Sequence, residues 1–369
     1  AGRFRDVTDS LAPDLRNCGI VRSAVWTDTD LDGTFELVVV GEWIAPQIWK
    51  RRGSQFVNTA KEAGTDTLVG WWYSVTSADV DNDGDMDLIC GNIGLNTRYR
   101  PQPNKPIEIW YDDFDENGSV DGLITYWPDT TRRLVRDRMK IFSQMPTLNR
   151  QFNKYVDFAT ASFETMIDAE KRQRARKHEA REMRSLVLIN NGKGVFTPKP
   201  LPPLAQMSPV LGIAVVDIND DDYSDLILSG NMYGAEDDVV RYDAGIGLVL
   251  KGAQGATYRA LDPDTSGYRI ASDMRGTVTA ILNGRAVTIT GVNGDSLVIY
   301  AIPGQYVTSP IRSNETYTNL RTESGIRRVE STVGQAWRSQ GRTILPSRYV
   351  LDSKRVKEKP NRKEPKHDN

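Results

Sequence analysis

Short apolar runs separated by acidic turns make up most of the hydrophobic pattern of this chain. The first unit predicts four strands, at residues 21–26, 36–43, 46–50 and 55–59, with turns between them. Runs of this length that are rich in β-branched and aromatic residues favour strands over helices. Four antiparallel strands per repeat are typical of a β-propeller blade. The pattern therefore predicts an all-β fold, a β-propeller of four-stranded antiparallel blades.

Four acidic turns, named loops 1 to 4 in chain order, share one spacing of polar residues. Oxygen-bearing side chains occupy positions 1, 3, 5 and 9, and the backbone carbonyl of position 7 can complete the set. Such oxygen ligands suit a hard cation such as Ca²⁺, and we expect three to four ions. The predicted ligands are Asp28, Asp30, Asp32, Thr34 and Glu36 in loop 1, Asp79, Asp81, Asp83, Asp85 and Asp87 in loop 2, Asp113, Asp115, Asn117, Ser119 and Asp121 in loop 3, and Asp217, Asn219, Asp221, Tyr223 and Asp225 in loop 4.

Two alternatives to a calcium-binding hairpin loop can be weighed from the same residues. An EF-hand needs a bidentate Glu at position 12 and flanking helices, whereas apolar residues or Cys90 stand there and strands are predicted on both sides. A turn without metal is the second alternative, since Asp, Asn and Gly favour turns by themselves. It applies most to loop 3, which has Asn117, and to loop 4, where Asp222 replaces the usual Gly. Because Asp tolerates a left-handed conformation better than most residues, metal is still favoured in loop 4.

The spacing of the loops divides the chain. Loop starts lie 51 residues apart (28 to 79), then 34 (79 to 113), then 104 (113 to 217). The long gap predicts a helical insertion at residues 132–184, between blades at 1–131 with three loops and blades continued at 185–305. Leu186–Phe196 predicts a hairpin with an Asn-Gly turn, and Tyr268–Ile302 predicts a degenerate blade without metal. Phe4–Thr8 is predicted to be the last strand of a blade.

Charged residues dominate two further segments. From Asp168 the predicted insertion carries mixed basic and acidic side chains. A solvated helix face is the simpler interpretation, and a docking surface for an acidic partner or lipid headgroups is the other, which the mixed signs weaken. Residues 353–369 are basic, nearly devoid of apolar side chains and predicted to be a disordered tail.

Composition narrows the classes of function. The formal net charge of −2 over 369 residues indicates neither nucleic acid nor an anionic membrane as a partner through bulk electrostatics. No apolar stretch is long enough for a transmembrane helix. Cys18 and Cys90 allow one disulfide at most, or two buried thiols. Calcium sites of this kind work where calcium is abundant, so we expect the outside of a cell. The first residue, Ala1, predicts a processed or partial chain.

Residues that would indicate catalysis are scarce. His178 and His367 are the only histidines, so neither a His-based triad nor a His metal site is expected. The nucleophile elbow, the P-loop and the dinucleotide fingerprint are missing. One aromatic cluster, Trp71, Trp72 and Tyr73, could hold a sugar or a peptide, or could pack between blades. We predict no enzyme activity and retain the cluster as a candidate ligand site.

Several motifs resemble those of a known family. The repeated Asp-x-Asp-x-Asp-Gly-x-x-Asp-Leu loop, with the Asn-Asn-Gly-x-Gly-x-Phe turn at Asn190–Phe196, resembles the FG-GAP/VCBS repeat family of integrin-type β-propellers. With Val40–Trp43, Gly91–Asn96 and Arg241–Ala244, the chain looks more closely like large VCBS-repeat proteins of Bacteroidetes-type bacteria that end in an ASPIC/UnbV-like segment, which would fall at 306–352. The resemblance implies a calcium-stiffened propeller on a secreted or outer-membrane protein, often a lipoprotein.

Three functions remain compatible with these features. The first is a calcium-stabilised binding or scaffold propeller at the cell surface, with a protein or glycan partner and no specific nucleic acid. A glycan-active enzyme resembling a polysaccharide lyase, on a calcium-containing propeller, is the alternative. The third is a subunit of an outer-membrane assembly that docks through the helical insertion.

Overall fold

A computed structural model describes residues 2–235, 239–304, 306–310, 317–322, 325–330 and 342–346. The strands are β1 (Ile20–Thr27), β2 (Glu36–Ile44), β3 (Gln47–Arg52), β4 (Gln55–Asn58), β5 (Gly70–Ala78), β6 (Asp87–Asn92), β7 (Ile107–Asp112), β8 (Asp121–Tyr126), β9 (Arg133–Leu134), β10 (Arg176–Ala180), β11 (Leu186–Asn190), β12 (Phe196–Pro200), β13 (Gly212–Val216), β14 (Asp225–Ser229), β15 (Leu248–Ala253), β16 (Thr257–Ala260), β17 (Met274–Leu282), β18 (Arg285–Val292), β19 (Val298–Ala301), β20 (Tyr306–Pro310), β21 (Tyr317–Thr322), β22 (Gly325–Glu330) and β23 (Arg342–Pro346). The helices are α1 (Thr8–Leu11), α2 (Arg138–Gln144), α3 (Pro146–Gln151), α4 (Tyr155–Thr160), α5 (Phe163–Met166), α6 (Ala169–Arg174) and α7 (Pro263–Ser266), with 3₁₀ turns at Pro13–Asn17 and Pro203–Gln206.

The fold is a β-propeller of antiparallel blades. Blade 1 contains β1 to β4, blade 2 contains β5, β6, β11 and β12, and blade 3 contains β13 to β16. The strands β17 to β19 form blade 4, at the position where the sequence predicts a degenerate unit. The first strands of the four blades, β1, β5, β13 and β17, contact one another in that order. The predicted fold class is therefore confirmed.

Apolar faces of neighbouring blades form the core. Each interface takes side chains from the faces of two blades, so blades 2 and 3 bury apolar residues on both sides, as the near-continuous apolar runs predict. The blade 1–2 interface includes Val38, Trp72, Leu88 and Leu186, the blade 2–3 interface Ile89, Val187, Leu226 and Leu250, and the blade 3–4 interface Ile227, Val249, Met274 and Ala286.

A large insertion interrupts blade 2 between two of its neighbouring strands. The chain leaves the blade after β6 and returns at β11, and these strands pair directly, with Leu186 opposite Cys90. Residues 93–185 between them hold a second four-stranded sheet, in the order β10-β7-β8-β9, together with α2 to α6. When the insertion is set aside, loops 2 and 4 are about 45 residues apart, close to the interval between loops 1 and 2. We therefore propose that the insertion begins well before residue 132.

The charged end of the predicted helical segment is in fact a strand. Helices extend from Arg138 to Arg174, but β10 follows and pairs with β7, with Lys177 opposite Trp110. Its charged side chains concealed the strand pattern. They are accommodated because acidic residues on β7 pair with them, as Glu108 does with Lys177 at 2.9 Å.

The N-terminal segment differs from its prediction. Residues 4–8, expected as a strand, lead instead into α1, where the Thr8 N–H donates to Asp6 Oδ1 at 2.9 Å. This turn chemistry competes with an extended backbone. The segment then runs beside blade 1, where Gln47 Nε2 donates to the Cys18 carbonyl at 3.0 Å.

The structure bears on three further predictions, which concern the cysteines, a membrane-spanning helix and the C-terminal segment. Cys18 and Cys90 are both free thiols, and Cys90 is fully buried. No helix in the described ranges is both long and apolar enough to cross a membrane. Of the predicted segment 306–352, the backbone forms a β20–β23 pair and a β21–β22 hairpin. The predicted tail at 353–369 lies outside the described residues.

Candidate metal centres

All four acidic loops share one backbone arrangement built from three hydrogen bonds. The position 6 N–H donates to the carboxylate of position 1, the position 7 N–H to the oxygen of position 5, and the position 2 N–H to the carboxylate of position 9. In loop 2 these are Gly84 to Asp79 Oδ2 at 3.1 Å, Asp85 to Asp83 Oδ1 at 3.1 Å and Val80 to Asp87 Oδ2 at 3.0 Å. The matching bonds occur in loop 1, loop 3 and loop 4.

Each loop also contains two residues with positive φ. Position 6 is Gly in loops 1 to 3, and in loop 4 it is Asp222 with φ of 72°, the conformation that the sequence predicts for it. Position 4 is left-handed as well, although it is never Gly: it is Leu31, Asn82, Glu116 or Asp220, with φ of 61°, 64°, 60° and 59°. This second position could not be predicted from the sequence because no single residue type occupies it in the four loops.

Carboxylates converge in three of the four loops. One oxygen each from Asp28, Asp30 and Asp32 lie within 4.8 Å of one another, as do oxygens of Asp79, Asp81 and Asp87, and of Asp113, Asp115 and Asp121. Within the described residues, loop 4 forms no such cluster. Asn219 takes its position 3, and the Nδ2 group donates to Asp221 Oδ2 at 2.9 Å instead of offering a charge.

Buried oxygens without a hydrogen-bond partner mark the same three loops. They are Asp30 Oδ1 and Glu36 Oε1 in loop 1, Asp81 Oδ1 and Asp85 Oδ1 in loop 2, and Asp115 Oδ1 in loop 3. Glu36 is 1% exposed and Asp85 3% exposed. A buried carboxylate oxygen that lacks a partner is unfavourable unless a cation satisfies it. The donor sets, all oxygen, fit a hard divalent cation such as Ca²⁺.

Burial and crowding disfavour ionisation in loops 1 and 2. Burial raises the pKa of Asp87 to about 9, and burial together with Asp83, Asp81 and Asp79 raises that of Asp85 to about 7. Burial likewise raises the pKa of Glu36 to about 6. A nearby cation favours the ionised carboxylate, so a bound metal would oppose these shifts.

Lysine side chains reach two of the loops from the third strand of the blade. Lys50 pairs with Asp30 and lies 3.3 Å from Asp32, and Lys251 Nζ lies 3.1 Å from Asp221 Oδ2. Each lysine comes directly after the third-strand residue that pairs with loop position 10. In blade 1, Trp49 pairs with Leu37 and precedes Lys50. In blade 3, Leu250 pairs with Leu226 and precedes Lys251.

Blade 2 has an apolar residue at the equivalent place. There Leu188 pairs with Leu88, and the next residue is Ile189. Loops 1 and 4 therefore have an internal ammonium group, whereas loop 2 has none from this strand.

Loop 3 is held by the insertion and not by a blade. It joins β7 to β8, and the helices approach it from outside the sheet. Lys171 Nζ donates to the Phe114 carbonyl at 2.6 Å, and Gln144 Nε2 donates to Asp121 Oδ1 at 3.0 Å. These helix residues could not be assigned to the loop from sequence spacing.

Loops 1, 2 and 4 are linked to one another by buried side chains. Asn190 Nδ2 donates to the Thr29 carbonyl of loop 1 at 2.7 Å and to the Met86 carbonyl of loop 2 at 3.0 Å. Asn82 Nδ2 of loop 2 donates to the Asp222 carbonyl of loop 4 at 3.0 Å. The three loops therefore form a row across adjacent blades, whereas loop 3 lies outside it.

The aromatic cluster that was a candidate ligand site is packed. Trp72 is fully buried, and its Nε1–H donates to the Leu68 carbonyl at 3.0 Å. Trp71 lies edge-on between Trp43 and Tyr99, with ring centroids 5.0 Å and 4.8 Å away, and Tyr73 packs against the same group. The cluster joins blade 2 to the inserted sheet, so Trp71 and Trp72 offer no open face for stacking a ligand.

Comparison with known proteins supports the repeat assignment over part of the chain. Residues 28–90 match a family model described as FG-GAP-like repeat. The match includes loops 1 and 2 and ends within β6, just before the insertion. No curated protein sequence matches the chain.

One solved structure, BBS1N in complex with ARL6DN, soaked with mercury, is similar at 10% identity. That similarity extends over 89% of this chain and 96% of that chain with a TM-score of 0.22, too low to support an argument about fold or partner. The blades themselves define the class, a β-propeller, and residues 28–90 of it match an FG-GAP-like repeat.

Proposed function

We propose that this chain is a calcium-stabilised propeller that serves as a binding or scaffold module at the cell surface. The observation that supports it most is the coincidence, in loops 1 to 3, of converging carboxylates with buried oxygens that have no partner. Loops 1, 2 and 4 are tied together by Asn190 and Asn82, so ions there would stiffen one row of hairpin ends. A stiff frame leaves other loops and the insertion free to meet a partner.

The partner we propose is a protein or a glycan outside the cell or on the outer membrane surface. This part rests on the resemblance to VCBS-repeat proteins and on the calcium concentration that such sites need. The ASPIC/UnbV-like assignment of 306–352 and the lipoprotein character rest on the same resemblance.

The composition of the central cavity favours binding over catalysis. A cavity of about 340 Å³ lies among the first strands of the blades and is lined by small and apolar residues such as Ser23, Ser74, Gly212 and Thr277. None of its lining residues is acidic, basic or His. In the described part of the chain, His178 is instead paired with Tyr111 on the inserted sheet, with 2.8 Å between Nε2 and Oη.

Thermal unfolding with calcium and with a chelator tests the metal. Calcium at a hundredfold excess over its dissociation constant should add about 2.7 kcal/mol per site, so the melting temperature should fall by several degrees in EGTA. Magnesium at the same concentration is the control for ionic effects. Identical melting curves in calcium and in EGTA would mean that the loops are bare turns.

A separate measurement tests the binding role. A glycan array and a pull-down from the cell surface fraction, both in calcium, should yield a partner that is lost in EGTA. Calcium-dependent stability without any partner would overturn the binding role and leave the metal sites standing.

A further inference from the structure

Basic residues of the insertion fall into two groups that differ in their pairing. Many of those near the inserted sheet have acidic partners: Arg132 contacts Glu108 at 2.6 Å, and Arg174 contacts Asp112 at 2.7 Å. The charged run that begins at Asp168 is therefore largely neutralised within the fold, by pairs that also involve Lys171, Lys177, Arg181 and Arg184.

Several cations of the insertion have no such partner among the described residues, and three of them lie close together in the sequence. Lys140, Arg150 and Lys154, on or next to α2, α3 and α4, form no side-chain ion pair or hydrogen bond with any described residue. Arg150 and Lys154 are exposed, and Lys140 is half-buried. Their charge is therefore available to something outside the described fold.

Large apolar side chains are exposed in the same place. Met139, Tyr155 and Val156 are 62%, 68% and 61% exposed, more than almost all other apolar side chains of the described chain. Exposure of this degree means that they project from the surface and do not line a groove. Single exposed apolar residues are ordinary, but three among unpaired cations are not.

Arg138 holds the start of α2 beside the segment that carries Tyr155. Its guanidinium lies 4.6 Å from the centroid of the Tyr155 ring and 4.5 Å from that of Phe142. It also donates to the Asn153 carbonyl at 2.9 Å. The start of α2 and the α3–α4 connection therefore lie side by side. We name this the α2–α4 surface; it comprises Met139, Lys140, Arg150, Lys154, Tyr155 and Val156.

The local charge of this segment is positive although that of the whole chain is not. Residues 136–157 contain five basic residues and two acidic residues, Asp137 and Asp157. Asp137 is already engaged as the N-cap of α2, where it accepts the Lys140 N–H at 2.9 Å. The net charge of −2 over the whole chain therefore conceals a basic segment within the insertion.

We propose that the α2–α4 surface docks on an anionic lipid surface. Unpaired Lys and Arg side chains are attracted to phosphate-bearing headgroups, and each contributes independently near such a surface. Projecting Met, Tyr and Val side chains can enter the headgroup region, where Tyr is favoured because it has an apolar ring and a polar tip. Lys, which supplies two of the three unpaired cations here, is depleted at protein–protein interfaces, so the lysines favour a lipid surface over a protein partner.

Vesicle flotation with the full chain in constant calcium tests this inference. The protein should float with vesicles of phosphatidylglycerol and phosphatidylcholine and should not float with phosphatidylcholine alone. Lys140→Glu/Lys154→Glu should lower the partition coefficient by about tenfold or more, and Met139→Ser/Tyr155→Ser by a smaller factor. Added salt should weaken binding of the wild type.

Lys61→Glu/Leu204→Ser, an exposed cation and an exposed apolar residue elsewhere on the propeller, is the matched control and should bind as the wild type does. Melting curves of every variant, which should match that of the wild type in calcium, separate lost binding from lost folding. Absence of flotation with anionic vesicles, or equal binding of the charge-reversal variant, would overturn the proposal. Binding to polyglutamate but not to vesicles would point to an acidic protein and would also overturn it.

Discussion

Loops 2 and 4 have the same backbone and differ in their balance of charges. Both have the three hydrogen bonds between positions 6 and 1, 7 and 5, and 2 and 9, and both have positive φ at positions 4 and 6. Loop 2 has Asp at positions 1, 3, 5, 7 and 9 and Ile189 at the third-strand position, whereas loop 4 has Asn219 at position 3 and Lys251 beside Asp221. Turn chemistry thus specifies the backbone shape of the loops. We expect the balance of charges to determine how strongly a bound cation would stabilise each loop.

Loop 1 is intermediate between these two. It has the converging carboxylates and unpartnered oxygens of loop 2, but Lys50 approaches it as Lys251 approaches loop 4. The residue at one position of the third strand therefore changes the charge beside a loop without altering the backbone of that loop. This residue is Lys50 in blade 1, Ile189 in blade 2 and Lys251 in blade 3.

The largest difference should appear when position 3 is removed from each loop. In calcium, Asp81→Ala should lower the free energy of unfolding by about 2–3 kcal/mol, because loop 2 loses a ligand and with it most of the stabilisation by the ion. Asn219→Ala in loop 4 should change it by less than about 0.5 kcal/mol, because this residue is exposed and uncharged. Chemical denaturation in calcium measures both.

The same two variants in chelator provide the control. Without metal, Asp81→Ala removes one of several crowded carboxylates and should leave stability unchanged or raise it. If Asp81→Ala destabilised the protein equally with and without calcium, its role would be structural and the contrast between the loops would fail.

Exchange of the third-strand residue should produce a smaller effect, on calcium affinity in loop 2 and on metal-free stability in loop 4. Ile189→Lys should weaken calcium binding at loop 2 by about tenfold, since an ammonium group would compete with the ion, and Lys251→Met should lower stability in chelator by about 1 kcal/mol. Isothermal titration with calcium and melting in EGTA give the two values.

Ile189→Met controls for the packing lost in the first exchange, because it changes shape without adding charge. Equal calcium affinities for the Lys and Met variants at this position would show that the third strand does not set the charge of the loop.

The smallest expected effect is on stability at acidic pH, and it concerns the inserted sheet and not the blades. Burial opposes ionisation of Glu108, but hydrogen bonds from Lys177 and Arg132 outweigh it and hold the pKa of Glu108 below its usual value. A lowered folded-state pKa contributes stability above the unfolded pKa, and this contribution is lost as pH falls through the folded value. Glu108→Gln should therefore flatten the loss of stability below about pH 4.5, measured by urea unfolding at successive pH values. An unchanged acid slope would show that other groups control it.

Local features of this chain could be predicted from sequence, and long-range pairings could not. The loop spacing, the hairpin at Leu186–Phe196 and the left-handed Asp222 follow from turn chemistry within about ten residues. The insertion point could not be predicted because it depends on the pairing of Leu186 with Cys90, two residues that are far apart in the sequence. No motif between them indicates that pairing. The charges of β10 favoured a helix because their partners lie on β7.

The sites show the same division. Ligand positions within each loop are set by one short stretch of sequence, whereas Lys50, Lys251, Lys171 and Gln144 reach their loops from other elements. The aromatic cluster was ambiguous in the sequence for the same reason. Trp71 is enclosed by Tyr99, which belongs to the insertion.

The interruption of blade 2 also sets an order of events during synthesis. β5 and β6 leave the ribosome with the pairing edge of β6 unoccupied, and β11, its neighbour, follows only after residues 93–185. At translation rates of about 5–20 residues per second, that edge remains without its partner strand for roughly 5–20 s. Only local pairings can form meanwhile, among them β7 with β8. A nascent chain that stalls in this interval would expose a bare strand edge, which is the kind of surface that joins chains to one another.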